Sequence, residues 1–161
     1  MGIEIERKFL LASDGWRRQV SRFTAMQQGY LAGEGGKAST RVRIEGEAAN
    51  LNIKAAVVGS TRAEYQYAIP LAEARELLAT LCAGVLEKTR HYVEREGLTW
   101  EIDEFAGANA GLVVAELELS RADQPFGRPE WLGREVTDDR RYYNHHLALH
   151  PYSTWPGQGS T

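Results

Sequence analysis

Cysteine is almost missing from these 161 residues: Cys82 stands alone, which excludes an internal disulfide framework and a cysteine metal cluster and fits a reducing cytosol. Also missing is any apolar run near the roughly 18 residues that a membrane span needs. The chain opens directly on a charged stretch, so a soluble, cytoplasmic protein with no leader and no membrane partner is expected. Excess charge of either sign is small. A net charge of -3 and a pI near 5.8 give no global positive field to recruit nucleic acid, so a polyanion must be held by a local concentration of Lys and Arg. The glycine-rich turn GEGG, residues 33–36, lacks the GxxxxGK[ST] pattern and the strand-to-helix setting of a phosphate-cradling loop, and reads as a hairpin connection. No repeat, coiled coil or interdomain linker is visible. With 43% hydrophobic and 25% charged residues, the chain suits one packed domain and not a disordered one.

What the sequence has in quantity is alternation. Residues 2–11, GIEIERKFLL, place Glu4, Glu6 and Lys8 on one face of a strand and Ile3, Ile5 and Phe9 on the other. Ser13 and Asp14 then suit a helix start, with a short helical turn over 15–20. Further strands are expected over 23–32, over 37–45 with Arg41 and Arg43 on one face, over 51–58 with Asn52 and Lys54, and over 61–69 with Arg62, Glu64 and Gln66. Residues 46–50 turn the chain between two of them. Pro70 ends the run, and Leu71, Ala74, Leu77, Leu78 and Leu81 have helical spacing, predicting an amphipathic helix over 71–82 that covers the sheet. Strands resume over 85–96 with Lys88 and Arg90, over 98–105 with Glu101 and Asp103, and over 112–120 with Glu116 and Glu118. From Arg121 the composition turns to Pro, Gly and Trp, which suits irregular packing. Thr137 and the acidic residues after it predict a closing helix over 137–150, and 151–161 reads as a loose tail behind a single domain of residues 1–150.

About eight strands can close into a barrel with a narrow interior. Residues on neighbouring strands come within about 5 Å, so charged side chains from several strands can share one small volume. Enclosing so many ions in a dry core would cost several kcal/mol each. Two arrangements remain: a sandwich with every charged face outside, or a hydrated tunnel lined by the charges. Like charges are grouped by strand, as in Glu4/Glu6, Arg41/Arg43, Lys88/Arg90 and Glu116/Glu118. Such zoning suits a site where carboxylates hold hard divalent cations while Lys and Arg hold phosphate oxygens.

The ordered series ExExK at Glu4, Glu6 and Lys8, RxR at Arg41 and Arg43, Lys54, Arg62 with Glu64, KxR at Lys88 and Arg90, Asp103, and ExE at Glu116 and Glu118 resembles the CYTH, or triphosphate tunnel metalloenzyme, superfamily. The likeness runs to about His150 and is greatest to the short bacterial tripolyphosphatases, on QQGYL (27–31), EKTRHY (87–92) and EVTDDRRYYN (135–144). It implies a mainly β (α+β) fold, an eight-stranded antiparallel closed tunnel with covering helices and a C-terminal helix. It further implies Mg²⁺ or Mn²⁺ on Glu4, Glu6, Glu64, Asp103, Glu116 and Glu118, and a triphosphate held by Lys8, Arg41, Arg43, Lys54, Arg62, Arg90 and Arg140. A Tyr30 and Lys88 dyad would assist the attacking water, and a homodimer is compatible with the likeness. Gln66 departs from the pattern, since relatives often carry a second Glu there. The expected activity is metal-dependent cleavage of the terminal phosphoryl group of inorganic tripolyphosphate. The alternatives are a class IV adenylate cyclase, a thiamine triphosphatase and a noncatalytic polyphosphate-binding module.

Other residues have plainer readings. His146 and His150 share a helix face without an HExxH pattern and suit a solvated surface better than zinc. Trp16, Trp100, Trp131 and Trp155 suit packing outside the barrel, and Cys82 a small core position.

Overall fold

The structure is a computed structural model that describes residues 2–31 and 35–157. Its strands are β1 (Gly2–Leu11), β2 (Arg22–Tyr30), β3 (Ala38–Glu45), β4 (Ala48–Ala55), β5 (Thr61–Ala68), β6 (Gly84–Arg95), β7 (Leu98–Phe105), β8 (Val113–Glu118) and β9 (Leu132–Glu135). Two α-helices accompany them, α1 (Leu71–Thr80) and α2 (Asn144–Leu149). The strands form one antiparallel sheet in the order β5-β4-β3-β2-β6-β7-β8-β1-β9, and a β1–β5 pairing closes eight of them into a barrel. The tunnel, not the sandwich, is the arrangement present.

β1 is the seam. One edge pairs with β8, from Glu6 opposite Glu118 to Leu10 opposite Val114. The other edge takes β5 along Gly2 to Ile5 and then β9 near Phe9 and Leu11. The ninth strand was not expected in the irregular stretch after Arg121. LGRE has little strand character of its own and is extended because it completes the rim beside β1.

The hairpin turns are tighter than their composition suggested. Glu45 pairs directly with Ala48, leaving a two-residue turn with Gly46 at φ 59°. β4 therefore begins at Ala48 instead of Leu51, and it ends at Ala55, short of the expected Val58. The β6–β7 turn puts both Glu96 and Gly97 at positive φ, as a type I′ connection requires. The expected reach of β2 to Ala32, and Gly33 and Glu34 of the GEGG turn, lie outside the described residues.

The main apolar core lies outside the bore. Phe9, Trp16, Val93, Trp100, Ile102, Ala115, Leu117 and Trp131 form one cluster between the outer sheet face and the segments that cover it. Trp100 meets Phe9 and Trp131 edge-on, a favoured aromatic geometry. Under α1, Ala74 and Leu78 pack on Val42 and Ala49. This helix ends at Thr80, two residues earlier than its apolar spacing predicted, and leaves Leu81 63% exposed. Gly29 permits the close approach, since a Cβ there would stand 2.9 Å from both Leu78 Cδ2 and Cys82 Sγ.

A third cluster includes Leu86, Phe105 and Val114, covered by Val136, Tyr142 and Leu147. These three strand residues continue the inward alternation of Lys88, Asp103 and Glu116, so an apolar plug floors the charged part of the bore. The closing helix expected over 137–150 is broken. Residues Arg140–Tyr142 make a 3₁₀ turn capped by Asp139, and only Asn144–Leu149 is α-helical. Tyr143 between them is anchored, its hydroxyl donating to the Thr137 carbonyl at 2.7 Å and accepting from the Gly59 N–H at 3.2 Å. Where a loose tail was expected, Tyr152–Thr154 form a further 3₁₀ turn, and Tyr152 and Trp155 pack on the third cluster.

Helix α2 sits on β6 at Gly84, where an added Cβ would meet the Ala148 carbonyl oxygen at 2.6 Å. Backbone cannot yield as a side chain can. Gly84→Ala is expected to lower the unfolding free energy by about 1–3 kcal/mol, the usual cost of overpacking, in a urea melt. An unchanged midpoint would show that α2 is free to move.

Candidate active site

The inward alternation of eight strands surrounds a cavity of about 800 Å³ lined mainly by charged and polar side chains, with Ala38, Ala55, Ala56 and Val57 among the apolar ones. Glu4, Glu6, Lys8, Tyr30, Arg41, Arg43, Lys54, Arg62, Glu64, Lys88, Arg90, Glu116, Glu118 and Arg140 all border it. Asp103 is brought to the same layer but is wholly enclosed, with both oxygens engaged in the wall. Glu118 and Arg140 are exposed at the rim, Arg140 on its 3₁₀ turn and not on a helix.

Ring order sorts the charges. β7, β8, β1 and β5 are consecutive and carry Glu101, Asp103, Glu116, Glu118, Glu4, Glu6 and Glu64. β4, β3, β2 and β6 complete the ring and carry Lys54, Arg41, Arg43, Lys88 and Arg90. One arc of the wall is predominantly acidic and the other basic. Lys8 and Arg62 are the bases set within the acidic arc.

Ion pairs form both between the arcs and within the acidic one. Lys54 Nζ is 2.7 Å from Glu4 Oε2, Lys8 Nζ 3.1 Å from Glu116 Oε1, and Arg62 Nη2 3.3 Å from Glu6 Oε1. Arg90 grips Asp103 bidentately at 2.7 and 2.9 Å and also reaches Glu101 at 3.2 Å. Lys88 donates to Asp103 Oδ2 at 2.7 Å and to Asn144 Oδ1 at 2.8 Å. The carboxylate of Asp103 is thereby shared between two cations. Burial, opposed by Asp103 but reinforced by Arg90 and Arg43, brings the Lys88 ammonium down to about 7. Burial and the neighbouring Arg41 and Arg90 bring Arg43 down to about 10, and burial pushes the Tyr30 hydroxyl up.

The pairing is incomplete in a way that matters. Glu6 lies directly opposite Glu118, and Glu101 opposite Glu116, juxtapositions that repel. Burial and the charge of Glu116 lift the Glu6 carboxyl to about 7. Glu4 Oε1 is buried with no hydrogen-bond partner, and on the basic side Arg41 Nε is buried and unpartnered. An orphaned carboxylate oxygen in the acidic arc and an orphaned guanidinium nitrogen in the basic one fit a cation on one side and an anion on the other.

Among the described residues no three carboxylate, imidazole or thiol groups form a ready-made metal-binding group. That is compatible with Mg²⁺, which takes one or two carboxylates and completes its shell with water and substrate phosphate. The donor set of Glu4, Glu6, Glu64, Glu116 and Glu118 fits such an ion. At the position of Gln66, Asn52 Nδ2 donates to Gln66 Oε1 at 3.0 Å and to Glu64 Oε1 at 2.8 Å.

Several site residues were not singled out in the sequence. Gln28, Tyr143, Asn144 and His145 all join the lining or its hydrogen bonds. Gln28 shares the alternation of Tyr30 and was readable in principle. The other three come from the C-terminal segment, which carries no periodic signal. His146 and His150 stack on one another with ring centroids 4.4 Å apart.

Residues 2–144 match the family model for the CYTH domain. The chain belongs to the CYTH family. Within that family, it is 43% identical over 156 residues to an inorganic triphosphatase of Acetivibrio thermocellus, covering 96% of this chain and 99% of that protein. An inorganic triphosphatase of Nitrosomonas europaea is 36% identical over 151 residues, with 91% and 97% covered. The solved structure of the inorganic triphosphatase NE1496 superposes with a TM-score of 0.66 at 34% identity, over 91% of this chain and 97% of that one. A Pyrococcus horikoshii protein shares the CYTH fold at 18% identity and a TM-score of 0.60.

A raised carboxyl pKa makes the folded state bind more protons than the unfolded one, so Glu6 weakens the fold as pH rises from about 4.5 to about 7. Glu6→Gln, measured without divalent cations, is expected to raise the melting temperature at pH 8 and leave it nearly unchanged at pH 4.5. Equal shifts at both pH values would show that Glu6 is not held against its charge.

Proposed function

We propose that this CYTH protein hydrolyses the terminal phosphoryl group of inorganic triphosphate, giving diphosphate and phosphate. The observation that carries the reading is the division of one enclosed bore into an acidic and a basic arc. A linear polyanion would lie along the basic arc, and the carboxylates of the acidic arc would hold a divalent cation. Arg41, Arg43, Lys54 and Arg90, with Lys8 and Arg62, hold the phosphate oxygens, and Arg140 meets the outer end at the mouth. Glu4, Glu6, Glu64, Glu116 and Glu118 would hold Mg²⁺ or Mn²⁺, hard cations that suit oxygen donors. When bound, the metal withdraws electron density from the phosphate oxygens and from the attacking water. Asp103 serves otherwise than the resemblance implies, orienting Lys88 and Arg90 from behind the wall.

Lys88 takes a proton as the water oxygen bonds to the terminal phosphorus and the bond from that phosphorus to its bridging oxygen breaks. Its depressed basicity leaves a fraction of the amine neutral near pH 7 and able to accept. Tyr30 keeps its hydroxyl proton and orients the water. The guanidinium groups stabilise charge on the departing diphosphate.

Inorganic triphosphate is favoured over a nucleotide by the state of the aromatic rings. His145 lies flat on Tyr30 at 4.5 Å, and Tyr143 faces Lys8 and Arg62 at 5.3 and 5.0 Å. The lining tyrosines, Tyr30 and Tyr143, thus have these ring faces already engaged. The two inorganic triphosphatase relatives support the same substrate. No helix among the described residues is long and apolar enough to cross a membrane. We assign the enzyme to the cytoplasm, where a lone thiol stays reduced.

Phosphate release from triphosphate, ATP and thiamine triphosphate, each with Mg²⁺, Mn²⁺ or EDTA, tests the assignment. Triphosphate should be preferred and EDTA should stop turnover. Glu4→Gln should lower kcat/KM by about a hundredfold or more, since several kcal/mol of charge stabilisation are lost. Pyrophosphate release from ATP at a comparable rate would indicate a cyclase, and triphosphate binding without turnover a noncatalytic module.

A further inference from the structure

The hydrogen bonds around Tyr30 and Lys88 have a fixed direction, and Arg43 fixes it. A guanidinium only donates. Arg43 Nε donates to Gln28 Oε1 at 3.0 Å, which leaves the Gln28 amide one orientation, with Nε2 as the donor. That Nε2 donates to the Tyr30 hydroxyl oxygen and to Asn144 Oδ1, each at 3.2 Å. Asn144 is in turn oriented with its oxygen toward Lys88, which donates to it at 2.8 Å. Gln28 is 0% exposed, so water does not substitute in this chain of bonds.

Two consequences follow for the groups at the cavity. The Tyr30 oxygen accepts from inside the wall, so its own hydrogen is left for a partner in the bore. Lys88 has two N–H bonds committed to the wall, to Asp103 and Asn144, and its remaining position on nitrogen is turned to the bore. We propose that Gln28 and Asn144 are positioning residues that set the polarity of the Tyr30–Lys88 pair, holding the tyrosine as a donor and the lysine nitrogen open toward the attacking water. This rests on the reading of that pair given above. Residues 144 and 145 begin α2, and His145 covers the Tyr30 ring, so one helix end grips both members.

Gln28→Glu keeps the shape and still accepts from Arg43, but offers Tyr30 an acceptor where there was a donor. It should lower kcat by about tenfold, the rate equivalent of one hydrogen bond, with KM within about twofold. Asn144→Leu should do the same, and Asn144→Asp, which retains the acceptor, should recover most of the loss. The double variant Lys88→Met/Asn144→Leu should be no slower than Lys88→Met alone. Additive losses, or losses confined to KM, would overturn the proposal. Wild-type kcat in Lys88→Met would overturn the reading of the pair itself. An inactive Lys88→Met beside wild-type kcat in Gln28→Glu and Asn144→Leu would overturn the positioning role alone. If buried Gln28→Glu does not fold, the two variants at half-buried Asn144 decide the matter.

Discussion

Pairing β1 with β5 makes an inside that ordinary sheets lack. Once the ring closes, every second side chain on eight strands is committed to a shared narrow space, and its neighbours are committed to the outside. The usual arrangement is inverted: the main apolar packing forms on the outer face, under α1 and the segments that carry Trp16 and Trp131, while charge fills the middle. Desolvated ions are tolerable only with partners, and the wall supplies them in the pairs Lys54–Glu4, Lys8–Glu116, Arg62–Glu6 and Arg90–Asp103. The groups it leaves unpaired are the ones that invite a ligand.

Ring order gives the site its polarity. A mixed lining would neutralise itself and bind nothing strongly. Gathering the carboxylates on adjacent strands creates repulsion across Glu6 and Glu118 and across Glu101 and Glu116, which a cation relieves. Gathering guanidinium groups opposite them does the same for an anion. The fold holds both in place because the cores outside the barrel leave the strands no room to shift register.

Much of this was legible in the residues because a strand has only two faces. Period-two spacing put Glu4, Glu6, Lys8, Arg41, Arg43, Lys88, Arg90 and Glu116 on the charged faces of their strands but left a sandwich and a tunnel both open. It was the family resemblance that implied the tunnel. The spacing could not give the strand order, which joins β2 to β6 across the excursion through α1, and so it could not show two arcs. Nor could it show that Asp103 is sealed behind Lys88 and Arg90, since facing inward and reaching the cavity are different properties. The C-terminal segment was the least readable part. Its structure depends on long-range anchors, Tyr143 on Thr137 and Gly59, and LGRE on the edge of β1, which override local propensity.

The place of β1 has a consequence for how the molecule comes into being. β1 carries Glu4, Glu6 and Lys8 and precedes all its partners, β5, β8 and β9, in the chain, and the bond from Arg7 to Glu135 spans 128 positions. Contacts so distant in the chain make folding slow, because the loop must be ordered before the pairing rewards it. A nascent barrel without β8 and β9 holds half a seam and no cavity, so its acidic residues remain hydrated until those strands are made. Among the barrel strands, the one made earliest is the one completed last.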